Sequence, residues 1–224
     1  MPVKRPSYSL AMAAHDTRML LLGAVAMFEP VNGYQIRREL LSWQVDRWAN
    51  VNPGSIYHGL GTLTSEGFLA RTDLRDGTRE VAVYEVTPEG RTLLERSLLA
   101  ALETVDPYDR AAFTIAFGLL PLLPRRDVLG ALVARRAALE RAVDEFVRGK
   151  DDPVNGPPHA RRGWVLWLDL AIAELGWLRE TIDEIKAGRL RFAAGEDWGW
   201  QPPADDPGHQ MTLDREKYRA LLGR

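Results

Sequence analysis

A single pair of β-rich segments interrupts an otherwise helical pattern, and this limits the folds open to the chain. Residues 68–72 and 81–86 favour strands, and Asp76-Gly77 between them is a typical hairpin turn. Three helical patterns precede this hairpin and one follows it, over residues 10–28, 34–43, 53–66 and 88–102. The order helix, helix, helix, hairpin, helix therefore predicts a small, mainly helical N-terminal unit.

The helix boundaries rest on local signals. Glu29-Pro30-Val31-Asn32-Gly33 is predicted to be a turn, because proline ends a helix and Asn-Gly tolerates positive φ. Asn52-Pro53, Thr87-Pro88 and Asp106-Pro107 each combine a capping residue with a proline suited to the first helical position. Each of these pairs predicts the start of a helix.

The C-terminal half is predicted to be helical, with a break at the prolines of residues 119–124, a helix over 125–148 and a loop over 150–158. A long helix over 159–187 follows, with an apolar stripe of Trp164, Leu168, Leu175, Leu178, Ile182 and Ile185. Trp167, Ile172 and Trp177 widen this stripe. Since a helix that is apolar over most of its circumference is covered from several sides, we expect a partner subunit to bury part of it.

The N-terminal order matches a winged helix-turn-helix. In a helix-turn-helix the second helix enters the DNA major groove, and a hairpin after that helix is a wing that reaches the DNA backbone. The candidate recognition helix is Pro53 to Glu66, and the wing carries Arg75 and Arg79. Its outward positions are expected to be Ser55, Tyr57, His58, Gly61, Thr62 and Ser65, whose polar groups suit phosphates and base edges.

The sequence also resembles the PadR-type winged-helix transcriptional regulators. Five fragments lie in the family's order and at close to its spacing: Leu20-Leu21-Leu22-Gly23, Asn32-Gly33-Tyr34-Gln35-Ile36, Gly54-Ser55-Ile56-Tyr57-His58-Gly59-Leu60, Leu63-Thr64-Ser65-Glu66-Gly67-Phe68-Leu69 and Tyr84-Glu85-Val86-Thr87-Pro88-Glu89-Gly90. The resemblance spans about residues 8–100. It implies a homodimeric regulator, usually a repressor, that loses DNA affinity on binding a small hydrophobic or aromatic effector. It also implies that Tyr34 and Tyr57 lie near DNA.

Two observations keep a second interpretation open. Family members often carry basic residues after the leucine of the recognition helix, where this chain has Gly61 and Thr62. Residues 1–98 hold 11 Lys and Arg against 11 Asp and Glu, so this part is formally neutral, whereas proteins that contact about 6–10 phosphates concentrate basic residues on one face. The alternative is a ligand- or protein-binding module on a winged-helix scaffold, with weak or lost DNA binding.

Other classes of protein are disfavoured. The chain has no cysteine, which excludes disulfides and thiolate metal ligands. Its four histidines are scattered, and we find no catalytic or cofactor-binding motif, so we expect no enzyme activity, no metal and no cofactor. The longest early apolar stretch, residues 19–28, is shorter than the roughly 20 residues of a membrane span. We expect a cytoplasmic protein.

The predicted fold is therefore mainly α with a small β-hairpin wing. Residues 1–102 are expected to form a winged helix-turn-helix DNA-binding domain, residues 103–187 an antiparallel helical dimerisation domain that also holds any effector, and residues 188–224 an extended, partly docked tail. The predicted partners are double-stranded DNA, a second copy of the chain and a small aromatic or hydrophobic effector. The predicted DNA-contact residues are Tyr34, Arg37, Asn52, Ser55, Tyr57, His58, Thr62, Arg75 and Arg79, and the predicted effector or dimer core is Trp164, Trp167, Leu168 and Trp177.

Overall fold

The chain forms two compact units. The computed structural model describes residues 8–49, 51, 53–197, 203 and 205–223. The first unit combines residues 1–97 with 199–224, and the second consists of residues 98–198. In the described part of the chain, no helix is long and apolar enough to cross a membrane.

The element order follows the predicted one closely. The elements are α1 (Tyr8–Phe28), β1 (Val31–Asn32), α2 (Gly33–Ser42), α3 (Val45–Trp48), α4 (Pro53–Ser65), β2 (Leu69–Asp76), β3 (Arg79–Val86), α5 (Pro88–Glu103), α6 (Ala111–Gly118), α7 (Arg125–Gly149), α8 (Pro158–Lys186) and α9 (Pro207–Leu221). Short 3₁₀ turns lie at Leu120–Leu122 and Pro153–Asn155. The mainly helical fold with a small β wing is confirmed.

The sheet is antiparallel, with the strand order β1-β3-β2. Leu69 pairs with Val86 at the base of the hairpin and Asp76 with Arg79 at its tip, so Gly77 and Thr78 form a two-residue turn. Gly77 has φ +62°, which explains the glycine at this position. The predicted turn at residues 29–33 was only partly right, because Val31 and Asn32 pair with Tyr84 and Val83 of β3.

The core of the first unit lies between α1, α2, α4 and the sheet. Ile56, Leu60 and Leu63 of α4 are fully buried, at the four- and three-residue spacing that places them on one face. Leu21 of α1 packs against Gly59, where an added Cβ would lie 2.4 Å from Leu21 Cδ1. Gly59 therefore allows α4 to approach α1 closely.

The second unit contains an antiparallel pair of long helices, α7 and α8. Phe146 of α7 packs against Leu168 and Ala171 of α8, with Trp164 beside them. The predicted helix start at Asp106-Pro107 was wrong, because α6 begins at Ala111. The Asp106 carboxylate instead accepts the Tyr108 N–H at 2.9 Å and forms a turn.

The sequence predicts a short helix over residues 212–222 within the C-terminal tail, and the structure contains a longer one. α9 begins at Pro207, and the Asp206 side chain caps it by accepting the Gly208 N–H at 2.7 Å. This helix packs against α1, α2 and β1. Two tryptophans of this segment, Trp198 and Trp200, suggest from the sequence that the tail docks locally, and both lie outside the described residues.

Candidate nucleic-acid interface

Helix α4 has one buried face and one exposed face. Opposite the buried leucines, Tyr57 is 49% exposed, and His58, Gly61 and Ser65 are also exposed. Ser55 and Thr62 are half-buried at the edges of this face. The predicted outward positions therefore lie on the surface or at its margin.

The Tyr57 side chain of α4 reaches the start of α2, directly beside the position of Tyr34 in the chain. The Tyr57 ring packs over Gly33, where an added Cβ would lie 3.1 Å from Tyr57 Cε1. Tyr34 follows Gly33 directly and is 60% exposed. The start of α2 is fixed by a capping box, in which Asn32 Oδ1 accepts the Gln35 N–H at 2.8 Å and Gln35 Oε1 accepts the Asn32 N–H at 3.1 Å. Both phenol rings thus sit on a well-defined part of the surface.

Two hydroxyl groups on or beside the exposed face of α4 already donate hydrogen bonds to carbonyl groups of the same helix. The Thr62 hydroxyl donates to the His58 carbonyl at 3.0 Å, and the Ser65 hydroxyl donates to the Thr62 carbonyl at 2.8 Å. These hydroxyls retain only acceptor capacity in this geometry. The Tyr57 phenol and the His58 imidazole are therefore the better donors toward a base or phosphate.

The wing presents two arginines at its tip. Arg75 and Arg79 are exposed, and they flank the Asp76-Gly77-Thr78 turn. Glu80 lies opposite Arg75 across the hairpin, and Asp76 lies opposite Arg79. Neither arginine forms an ion pair with any residue that the structure describes.

Ion pairs occupy several of the cationic side chains of the first unit. Arg18 pairs with Glu66 at 2.7 Å, Arg71 with Asp73 at 2.8 Å, Arg91 with Glu29, and Lys217 with Asp76. Arg37 of α2 is half-buried and, like the two wing arginines, makes no ion pair within the described ranges. These three guanidinium groups remain available to an anionic partner. Asn52, also predicted to contact DNA, lies outside the described residues.

Sequence reasoning missed the contribution of α9 to this surface. Tyr218 Oη accepts the Asn32 amide at 2.8 Å, and Asp214 Oδ2 accepts the Gln35 amide at 2.6 Å. Arg215 donates to the last carbonyls of α1, Met27 at 2.6 Å and Phe28 at 3.2 Å. The weak periodicity of the tail gave no signal for these partners, which lie more than 170 positions away in the sequence.

The residues predicted as an effector or dimer core occupy two places in the second unit. Trp164 lies 5.8 Å from the Phe146 ring, and together with Trp167 and Leu168 it belongs to the packing between α7 and α8. Trp177 lies 5.1 Å from Phe117 and 5.9 Å from Phe113, and it remains 40% exposed.

A buried ion cluster lies beside these aromatic rings. Arg135 is 1% exposed and donates twice to Glu174 Oε1, at 3.0 and 2.6 Å, while Arg110 donates to Glu174 Oε2 at 3.0 Å. The Arg135 guanidinium also lies 3.8 Å from the centre of the Phe113 ring. Burial lowers the pKa of Arg135, and the Glu174 carboxylate opposes that shift. Within the described residues, no group of three or more His, Asp or Glu side chains could hold a metal ion.

A family model matches part of the chain and supports the resemblance. Residues 21–96 match the model of the transcriptional regulator PadR-like family. No curated protein matches the sequence significantly. Among solved structures, the chain is similar to Bacillus subtilis PadR in complex with operator DNA, at 18% identity and a TM-score of 0.34, covering 75% of this chain and 98% of that one. A PadR-like regulator from Bacillus cereus matches at 16% identity and a TM-score of 0.33, covering 83% and 99%.

Proposed function

We propose, on the premise that residues 21–96 are a domain of the PadR-like family of transcriptional regulators, that this chain is a sequence-specific DNA-binding repressor. It acts in the cytoplasm as a homodimer and releases DNA on binding a small hydrophobic or aromatic effector. The contact residues are Tyr34, Arg37, Ser55, Tyr57, His58, Thr62, Arg75 and Arg79, together with Asn52.

The observation that carries this proposal is the surface formed by α4 and the wing. Tyr57 and His58 project from a helix whose opposite face is fully buried, which suits a helix inserted into a major groove. The wing places Arg75 near the end of β2 and Arg79 at the start of β3. Neither arginine has an ion-pair partner in the described part of the chain. Base contacts from the helix and phosphate contacts from the wing would together give register and sequence preference.

The first test is selection of duplex DNA from a random library by the purified protein. We expect a palindrome with half-sites about one helical turn, roughly 34 Å, apart. Tyr57→Ala should weaken binding to that site by about 1–3 kcal/mol, the range for a side chain that reads DNA. Tyr108→Ala is the matched control, because Tyr108 is a 64% exposed tyrosine in the second unit.

Salt dependence separates this proposal from the alternative module with weak or lost DNA binding. A dimer that uses several phosphate contacts loses affinity steeply as salt rises, with a log–log slope of about −0.9 per contact. A shallow slope, or no enriched sequence from a folded protein, would favour the alternative. The neutral charge of residues 1–98 is the observation behind that alternative.

The proposed homodimer is supported by an exposed apolar stripe on α8. Leu166, Leu170 and Trp177 are 53%, 38% and 40% exposed, and Ala173 is exposed between them. The spacing of four, three and four residues is typical of a helix seam that packs against another helix. Analytical ultracentrifugation should show a dimer that Leu170→Asp weakens. Val154→Asp, at an 83% exposed valine of the same unit, should leave the dimer intact.

The proposed effector site is the aromatic group around Trp177. Phe113, Phe117 and Trp177 supply apolar faces, and Arg110, the most exposed member of the neighbouring ion cluster, supplies a polar group. Pockets for small ligands combine these two features. A ligand found by screening for release of DNA should lose its effect in Phe117→Ala, which lies outside the α8 stripe, while DNA binding without the ligand stays unchanged.

A further inference from the structure

Helix α9 belongs to the first unit although it lies far beyond residues 21–96. Met211 and Tyr218 are 2% and 3% exposed, so they anchor the helix. Asp214 and Arg215 lie on the same face, because positions three, four and seven apart are neighbours along one side of a helix. This face holds the end of α1 and the capping box of α2 through the hydrogen bonds described above. Several contacts therefore hold α9 against the first unit.

Lys217, on the flank of this face, reaches the wing. Its ammonium group pairs with the carboxylate of Asp76, 141 positions earlier in the sequence. Asp76 is the last residue of β2, and its direct cross-strand partner is Arg79. Oppositely charged residues in such a pair attract each other. Lys217 therefore binds the carboxylate that is otherwise placed to pair with Arg79.

We propose that Lys217 is a positioning residue for DNA binding, which neutralises Asp76 and so leaves the Arg79 guanidinium free for a DNA phosphate. This inference rests on the proposed function, since it assumes that the wing contacts DNA. Two effects act in the same direction. An unpaired Asp76 would attract Arg79 away from the phosphate, and its negative charge would repel the phosphate directly. Glu80 faces Arg75 rather than Arg79, so Lys217 controls the Arg79 side of the wing.

The test is a double-mutant cycle in the full-length chain, with Lys217→Ala, Asp76→Asn and the double variant. Affinity for the selected operator is measured between 50 and 300 mM salt. Loss of one phosphate contact makes the log–log slope shallower by about 0.9, which corresponds to about eightfold at 0.1 M salt if the affinities converge near 1 M. A homodimer that loses one contact in each subunit should therefore bind about sixtyfold more weakly. We expect this loss in Lys217→Ala, and we expect Asp76→Asn and the double variant to bind at least as tightly as the original protein.

The matched control is Arg219→Ala, which removes the same charge from an exposed position on the same helix and is expected to change the affinity by less than about twofold. Thermal unfolding of every variant checks that α9 remains docked.

Each remaining outcome overturns the inference. If Lys217→Ala binds as tightly as the original protein, Arg79 does not depend on Lys217. If the double variant binds as weakly as Lys217→Ala, then Lys217 contacts DNA itself or acts by packing. If the unmutated chain binds no duplex even at low salt, the proposed function fails and this inference fails with it. A chain that binds DNA but ignores Lys217 refutes the inference alone.

Discussion

Two glycines of α4 should respond in opposite ways to the same substitution. Alanine in a helix interior is more favourable than glycine by about 0.8–1.0 kcal/mol. At Gly61 an added Cβ meets no atom within 4 Å, so Gly61→Ala should stabilise the protein by about 1 kcal/mol. At Gly59 the added Cβ would lie 2.4 Å from Leu21 Cδ1, and Leu21 is only 1% exposed. Since Leu21 has little room to move, overpacking should cost about 1–3 kcal/mol.

The net change for Gly59→Ala is the overpacking cost less the gain in helix propensity, or about 0–2 kcal/mol of destabilisation. The two variants should therefore differ by about 1–3 kcal/mol in the free energy of unfolding, measured by urea titration. Gly130→Ala is the matched control, because Gly130 is an open glycine inside α7 of the second unit. If Gly59→Ala is as stable as Gly61→Ala, then α4 does not pack on α1 through this face. The assignment of its DNA-facing side would then be wrong.

A lysine at Gly61 tests whether this face of α4 approaches DNA, and a lysine at Gly130 provides the matched control. Gly61→Lys adds a cation to the exposed face of α4, where PadR-type regulators often have basic residues. Each new phosphate contact should raise operator affinity by about eightfold at 0.1 M salt and make the log–log slope steeper by about 0.9. A homodimer with one new contact in each subunit should therefore bind about sixtyfold more tightly. Gly130→Lys adds the same charge in the second unit and should leave the affinity unchanged. An unchanged affinity for Gly61→Lys would indicate that this face does not approach DNA.

Two further predictions concern buried charges. Glu174→Ala leaves Arg135 buried without its counter-ion, and urea titration should show a loss of about 3–5 kcal/mol in the free energy of unfolding. The control Glu140→Ala breaks the exposed pair with Arg179 and should cost at most about 1 kcal/mol. Equal losses in the two variants would contradict this account. Burial raises the pKa of Glu39, and only one of its oxygens is hydrogen-bonded, by Trp43 Nε1 at 3.0 Å. The pKa of Glu39 is higher in the folded state than in the unfolded state. Its contribution to the free energy of unfolding is therefore fully present below the unfolded-state pKa and is lost as the pH rises through the folded-state pKa. Glu39→Gln should therefore raise Tm at pH 7 but not at pH 4, and an equal gain at both pH values would show that ionisation is not the cause.

Local signals in the sequence were sufficient for most of the secondary structure. The cap-plus-proline pairs before α4 and α5 mark helix starts because a proline at the first helical position sacrifices no hydrogen bond. The hairpin around Asp76-Gly77 followed from turn chemistry in the same way. The same reasoning failed at Asp106-Pro107, where the carboxylate closes a turn on Tyr108 instead of starting a helix. A short polar side chain can cap either structure, and the surrounding packing decides between them.

The candidate interface could be predicted only as a set of positions. Helical periodicity places Tyr57 and His58 opposite the buried face of α4, and the turn places Arg75 and Arg79 at the wing. Whether an arginine on that surface can bind a phosphate depends on whether an acidic side chain already pairs with it. The sequence pattern alone did not reveal that Asp76 is paired with Lys217, since nothing within either segment encodes the contact.

The sequence by itself determined which segments are helices, where the hairpin lies and which faces are apolar, because these properties depend on residues within about one or two helical turns. It also carried the PadR-like pattern in residues 21–96. Only the tertiary structure shows that Leu21 packs where a side chain at Gly59 would lie, that α9 completes the capping network of α2, and that Glu174 neutralises the buried Arg135. Each of these depends on contacts between residues far apart in the chain, and such contacts form only when whole elements pack against one another.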